Sequence, residues 1–119
     1  MSKRILVADD EDDLRQVIKD MFKGMGYEMV FVRNGEEAIR KLNEVKLDLA
    51  ILDISMPKQS GYEVCSYMKD DPILSHVPII ILSAYTRDKQ GEKASLANRY
   101  IHKPFQHDDL LAAVAELLK

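Results

Sequence analysis

Five short apolar runs recur along this chain, and stretches of helical period separate them. The runs fall at residues 4–8, 29–33, 49–52, 79–83 and 99–102. They are rich in β-branched residues and show little polar alternation, as expected for strands covered on both faces. Between the first two lie Leu14, Val17, Ile18, Met21, Phe22 and Met25, a full helical stripe, with Gly26 placed just past its end as a left-handed cap. Ala38, Ile39 and Leu42 mark a second helix after Asn34-Gly35. Val64, Cys65 and Met68 mark a third, stopped before Pro72, and Leu110, Leu111, Val114, Leu117 and Leu118 mark the last. Residues 86–99 carry many charges, Gly91, and few apolar anchors beyond Ala94, Leu96 and Ala97. They suit either a short or mobile helix or an ordinary surface helix. Strand and helix alternate five times, which implies an α/β domain: a parallel sheet with right-handed crossovers and helices on both faces.

A chain of 119 residues is most simply one domain with one real core. Its net charge of −3 gives no basic footprint for nucleic acid. Cys65 is the lone cysteine, so no intrachain disulfide forms, which fits a reducing compartment. No apolar run is long enough for a signal peptide or a membrane span. These features place the expected protein in the cytoplasm, away from membranes.

Function enters at the ends of the runs. The first closes on Asp9-Asp10 and the third on Asp53. If these strands are neighbours, three carboxylates meet at one sheet edge, where like charges repel. A divalent cation explains such a cluster. Ser83 ends the fourth run and Lys103 follows the fifth. In open parallel sheets, ligands bind beyond the carboxyl ends of the strands, where strand order reverses. Mg²⁺ takes a few carboxylates, keeps several waters and shares a phosphate oxygen, while an amine and a hydroxyl hold the others. The set suits a phosphoryl group carried beside a metal. Acids at a helix start also suit the helix dipole, and Glu11, Asp12 and Asp13 are read that way. The acidic run is no EF-hand loop, because Leu14 stands where that loop needs glycine. Pro104 after Lys103 points to a constrained, cis, peptide. His76, His102 and His107 show no ligand spacing, and Cys65 reads as core filler.

The pieces Ile-Leu-Val-Ala-Asp9-Asp10, Leu-Asp53-Ile-Ser-Met56-Pro57, Gly61, Leu-Ser83-Ala84 and Tyr100-Ile-His-Lys103-Pro104-Phe105 occur in order at the strand ends. In them the chain resembles a response-regulator receiver domain over essentially its whole length. The resemblance implies a flavodoxin-like (βα)5 sheet of strand order 2-1-3-4-5, with residues 1–119 as one receiver domain and no output domain. It implies that Asp53 accepts a phosphoryl group from a sensor histidine kinase or a histidine phosphotransfer protein. Asp10, Asp53 and the backbone carbonyl of Ser55 would hold Mg²⁺, with Mn²⁺ an acceptable substitute, and Asp9 would act through a metal-bound water. Ser83 would hydrogen-bond the phosphoryl group, Lys103 would ion-pair with it, and Tyr100 would be the aromatic switch. Such a protein is a phosphoacceptor rather than an enzyme, limited to self-phosphorylation from small donors and self-dephosphorylation. It would be a monomer or a weak phosphorylation-dependent dimer, and its downstream protein is not named by the residues.

Two departures from that family fall before the fifth strand. Leu96 stands where most relatives carry glycine, and the stretch from Ser83 to Lys103 is slightly short. Asn98 is expected to supply the left-handed residue instead. Ser55 and Tyr85 are expected to set water access to the acyl phosphate. Three other readings compete. A Mg²⁺-dependent phosphatase of the haloacid-dehalogenase type wants an acid where Ser55 stands. In a flavodoxin-like electron carrier the acidic cluster would repel the cofactor phosphate. A docking module independent of phosphorylation has no need of the full acid, hydroxyl and lysine set.

Overall fold

The computed structural model describes residues 2–56, 58–84 and 97–119. Strands β1 (Arg4–Ala8), β2 (Glu28–Val32), β3 (Leu49–Asp53), β4 (Ile79–Ser83) and β5 (Arg99–His102) form one parallel sheet of order β2-β1-β3-β4-β5. Among the described residues, helices α1 (Asp12–Met21), α2 (Gly35–Glu44), α3 (Gly61–Asp70) and α4 (His107–Leu117) accompany it, with a 3-10 turn at Leu74–His76. This is the expected doubly wound architecture and strand order. No helix among the described residues is long and apolar enough to cross a membrane.

The side-chain period of two divides each strand between two cores. Leu6 and Ala8 of β1, Ala50 and Leu52 of β3, and Ile79 and Ile81 of β4 pack with Ala38 and Leu42 of α2 and Val64, Cys65 and Met68 of α3. Ile5, Val7, Leu49, Ile51, Ile80 and Leu82 pack on the other face, with Ile18 of α1 and Leu110 and Val114 of α4. Each fully buried Leu or Ile contributes roughly 1.5–3 kcal/mol of burial free energy. These three central strands therefore hold the site rigidly at their carboxyl ends. Cys65 is buried among these residues, and burial pushes its thiol up from the ordinary value. It fills the core, as expected.

Two helix starts carry side-chain caps. Asn34 caps α2 through its side chain, accepting from Glu37 N at 2.8 Å, and Ser60 and Glu63 form a reciprocal capping box on α3. The first helix differs from expectation. It ends at Met21 with Phe22 as cap, and both Gly24 and Gly26 adopt positive φ. Glycine at residue 24 lets the chain leave the helix about one turn earlier than the apolar period suggests, which leaves Met25 half exposed outside the stripe. Asn98 also departs from expectation. Lys58 is the one described non-glycine residue with positive φ. Asn98 instead bridges to β4: its N–H donates to Ile79 O at 2.8 Å, and its Oδ1 accepts from Ile79 N at 2.9 Å. That pair ties the entry of β5 to the start of β4 with no left-handed conformation at Asn98. Tyr85 and nearly all of the weak segment at 86–99 lie outside the described residues.

Two glycines press on the loop that follows β3. A Cβ at Gly61 would fall well inside contact distance of the Asp53 carbonyl oxygen, and one at Gly35 would do the same at the Gln59 carbonyl. The loop from Asp53 to Gly61 is thus clamped between the first turns of α2 and α3. Gly61→Ala is expected to destabilise the fold by about 1–3 kcal/mol through backbone overpacking. Asn43→Ala, at an exposed residue away from the loop, should cost less. Chemical denaturation of the two variants checks this.

Candidate phosphoacceptor and metal site

The strand register brings the candidate residues to one edge. Ala8 pairs with Leu52, Asp53 with Leu82, and Ser83 with His102. Asp9, Asp53, Ser83 and Lys103 therefore sit level at the carboxyl ends of β1, β3, β4 and β5. Between β1 and β3 the chain reverses its direction of travel across the sheet, the place where such sheets bind ligands.

Asp9 is fully buried. Its Oδ1 accepts from Glu11 N at 2.8 Å, and its Oδ2 lies 3.3 Å from Lys103 Nζ. Arg15 donates to the Asp9 carbonyl at 2.6 Å and pairs with Asp12. Asp53, the last residue of β3, is buried as well. Its Oδ2 lies 3.2 Å from Lys103 Nζ, and its Oδ1 accepts weakly from Ser55 N at 3.4 Å. Lys103 is aimed by its backbone: its N–H donates to Ser83 O at 2.6 Å, and the Lys103-Pro104 peptide is cis, as expected. Ser83 is itself buried at the end of β4. Tyr100, on β5, is exposed at the protein surface.

Asp10 and Glu11 are exposed, yet their carboxylates complete the cluster. One oxygen from each of Asp9, Asp10, Glu11 and Asp53 lies within 4.8 Å of the others. Opposite ligands of an octahedral Mg²⁺ stand roughly 4.2 Å apart, so oxygens within 4.8 Å of one another are near the spacing at which several could share the ion, with waters filling the remaining positions. Glu11 is the residue that sequence reasoning passed over. It is the N-cap of α1, with extended backbone and no side-chain cap hydrogen bond, and its Oε1 lies 3.6 Å from Lys103 Nζ. Its position in an acidic helix start concealed that role. Asp12 and Asp13 do occupy the first turn of α1.

The electrostatics match a site short of positive charge. Burial, then the Asp9 carboxylate, push the Asp53 carboxyl up from 3.8 to about 6, against the pull of Lys103 and the Ser55 N–H. Burial alone would lower the Lys103 ammonium, but Asp53 and Asp9 outweigh it and the net shift is upward. A folded-state value above the unfolded one means that Asp53 stabilises the fold most below about pH 4. That contribution is lost as pH rises through about 6. Near neutrality, with no cation bound, the ionised Asp53 therefore works against the fold.

Comparison with known proteins agrees with this geometry. The family model for the response regulator receiver domain matches residues 5–115. The polar-differentiation response regulator DivK of Brucella anthropi is 33% identical over 106 residues, covering 87% of this chain and 86% of DivK. The alkaline phosphatase synthesis transcriptional regulatory protein PhoP of Bacillus subtilis is 32% identical over the whole chain, which spans 50% of PhoP. Among solved structures, response regulator TrrA of Thermotoga maritima, crystallised in complex with Mg²⁺-BeF, superposes with a TM-score of 0.89 at 39% identity. That match covers 98% of this chain and 99% of TrrA. This chain belongs to the response regulator receiver domain family, the phosphoacceptor signalling domains of two-component systems.

Proposed function

We propose that Asp53 is the phosphoacceptor of this receiver domain and that Asp9, Asp10 and the Ser55 carbonyl complete its Mg²⁺ site. The observation that carries the reading is the Asp53 carboxylate itself, buried at the end of β3, 3.2 Å from the Lys103 ammonium and within the four-carboxylate cluster. The Mg²⁺-BeF complex of TrrA, whose structure this chain matches over nearly its full length, supports the same reading.

In the proposed reaction an Asp53 oxygen attacks the phosphorus of a phosphohistidine or of a small donor such as acetyl phosphate. The P–N or P–O bond to the donor breaks, and the leaving group departs with the electron pair. The product is an acyl phosphate, which water later hydrolyses. Lys103 offsets the charge of the approaching anion, and the Ser83 hydroxyl donates to a phosphoryl oxygen. Asp9, Asp10, Asp53 and the Ser55 carbonyl would hold the ion, Mg²⁺ or its substitute Mn²⁺. When bound, that ion supplies Lewis-acid neutralisation of the phosphoryl oxygens.

The proposed donor is a sensor histidine kinase or a histidine phosphotransfer protein in the cytoplasm. Residues 1–119 act as the receiver domain, either as a monomer or as a weak phosphorylation-dependent dimer, and bind neither nucleic acid nor membrane. The output face runs along β5 and α4. There Tyr100, Ile101, Phe105 and Glu116 line a groove of about 530 Å³ beside the Arg99–Glu116 ion pair. Engagement of Ser83 by the phosphoryl group, with inward rotation of Tyr100, would change that face for an unidentified downstream protein.

Acetyl phosphate with Mg²⁺ is expected to add one phosphoryl group to the wild type and none to Asp53→Asn, read by intact mass. Equal labelling of both would reject Asp53. Asp10→Ala is expected to remain folded but to lose Mg²⁺ binding, as measured by calorimetric titration, and wild-type affinity in that variant would reject its role as a ligand.

A further inference from the structure

Lys103 carries three N–H donors, and three carboxylates face them: Asp53 Oδ2 at 3.2 Å, Asp9 Oδ2 at 3.3 Å and Glu11 Oε1 at 3.6 Å. The three acceptors are not equivalent. The Asp9 and Asp53 side chains are 0% and 5% exposed, whereas that of Glu11 is 65% exposed. Asp9 is anchored further by the Glu11 N–H on its other oxygen. The backbone of Glu11 is held by that bond and by its own carbonyl, which accepts from Arg15 N at 3.1 Å. Its carboxylate caps nothing, so the side chain reaches Lys103 from a fixed base on a stem free to swing into water.

A phosphoryl group arriving at Asp53 needs a donor from Lys103. Asp53 and Asp9 lie within hydrogen-bond distance of the ammonium, whereas Glu11, at 3.6 Å, holds it by charge alone, and the incoming group must displace one of these three attractions. Release of a buried carboxylate costs far more than release of an exposed one, because water replaces the lost contact only in the second case. Resting on the proposed phosphoacceptor role of Asp53, we propose that Glu11 is a positioning residue for the transfer. Its charge draws the Lys103 ammonium toward the start of α1 in the unphosphorylated protein, and it gives the ammonium up to the incoming phosphoryl group. Glu11 thereby restrains phosphorylation by holding the lysine in a pre-engaged state.

The test is the initial rate of labelling by acetyl phosphate at saturating Mg²⁺, for wild type, Glu11→Gln, Asp13→Asn, Lys103→Met and the Glu11→Gln/Lys103→Met double variant. Glu11→Gln is expected to label about two- to fivefold faster than wild type at low ionic strength, the size of one exposed ion pair. The gain should vanish in about 0.5 M salt, where exposed charges are screened. Asp13→Asn removes a nearby charge of α1 that makes no contact with Lys103, and it should leave the rate unchanged. In the Lys103→Met background the Glu11 substitution should have no effect, since the coupling runs through the ammonium. Equal low-salt rates for wild type and Glu11→Gln, an equal gain from Asp13→Asn, or a gain that survives loss of Lys103 would each overturn the role of Glu11 while leaving Asp53 as the acceptor. Failure of the wild type to label at all would overturn both.

Discussion

The Lys103 ammonium holds the site together. It lies within 3.6 Å of carboxylates from the ends of β1 and β3 and from the start of α1. Without it the buried Asp9 and Asp53 would face each other in a region that water solvates poorly, an arrangement that costs several kcal/mol per uncompensated charge. One ammonium cannot balance four carboxylates, however. Burial first, and then the Asp9 carboxylate, raise the Asp53 value further than Lys103 lowers it. The shortfall of positive charge makes the site receptive to a divalent ion and, with that ion, to a phosphoryl anion. Stability is given up locally in return for a switch.

The rest of the fold makes that concession tolerable. β1, β3 and β4 are buried on both faces, and their register sets the acidic and hydroxyl side chains level to within a residue. The two tight glycines, Gly35 and Gly61, clamp the loop that leaves Asp53. Repulsion at the sheet edge therefore meets a backbone with little room to relax. Such preorganisation places charge where the reaction develops it and avoids reorganisation at the moment of transfer. The β5 side is the less buried part: its four residues are exposed or half-buried, and the groove beside α4 opens there. The proposed rearrangement at Ser83 and Lys103 would meet less packing in that direction than toward the central strands.

Much of this was legible in the residues. The strands were visible because each apolar run is short and lacks alternation: β1, β4 and β5 coincide with their runs, β2 is shifted by one residue, and β3 extends one residue further, to Asp53. Asp9, Asp53, Ser83 and Lys103 were visible because the parallel topology forces strand ends to one side. What escaped has physical causes. The end of α1 is governed by Gly24, a single backbone choice, while the apolar period continues past it to Met25. Asn98 turned out to serve the chain through a pair of hydrogen bonds to Ile79, and no periodicity reports such a partner. Glu11 was hidden among neighbours that favour a helix start for dipole reasons. Only three-dimensional placement separates its carboxylate, at Lys103, from those of Asp12 and Asp13.

The central claim is that the carboxylate cluster is short of positive charge until a divalent ion enters. The most direct measurement is a carbon-13 NMR titration of the Asp53 side-chain carboxyl, with and without Mg²⁺. Without the ion its midpoint should lie near 6, well above the ordinary 3.8, and thermal stability should fall as pH rises across that interval. With saturating Mg²⁺ the midpoint should move below 3.8 and the loss of stability should reverse, because the ion binds only the ionised form. A midpoint that stays at the same pH in both buffers would contradict the account.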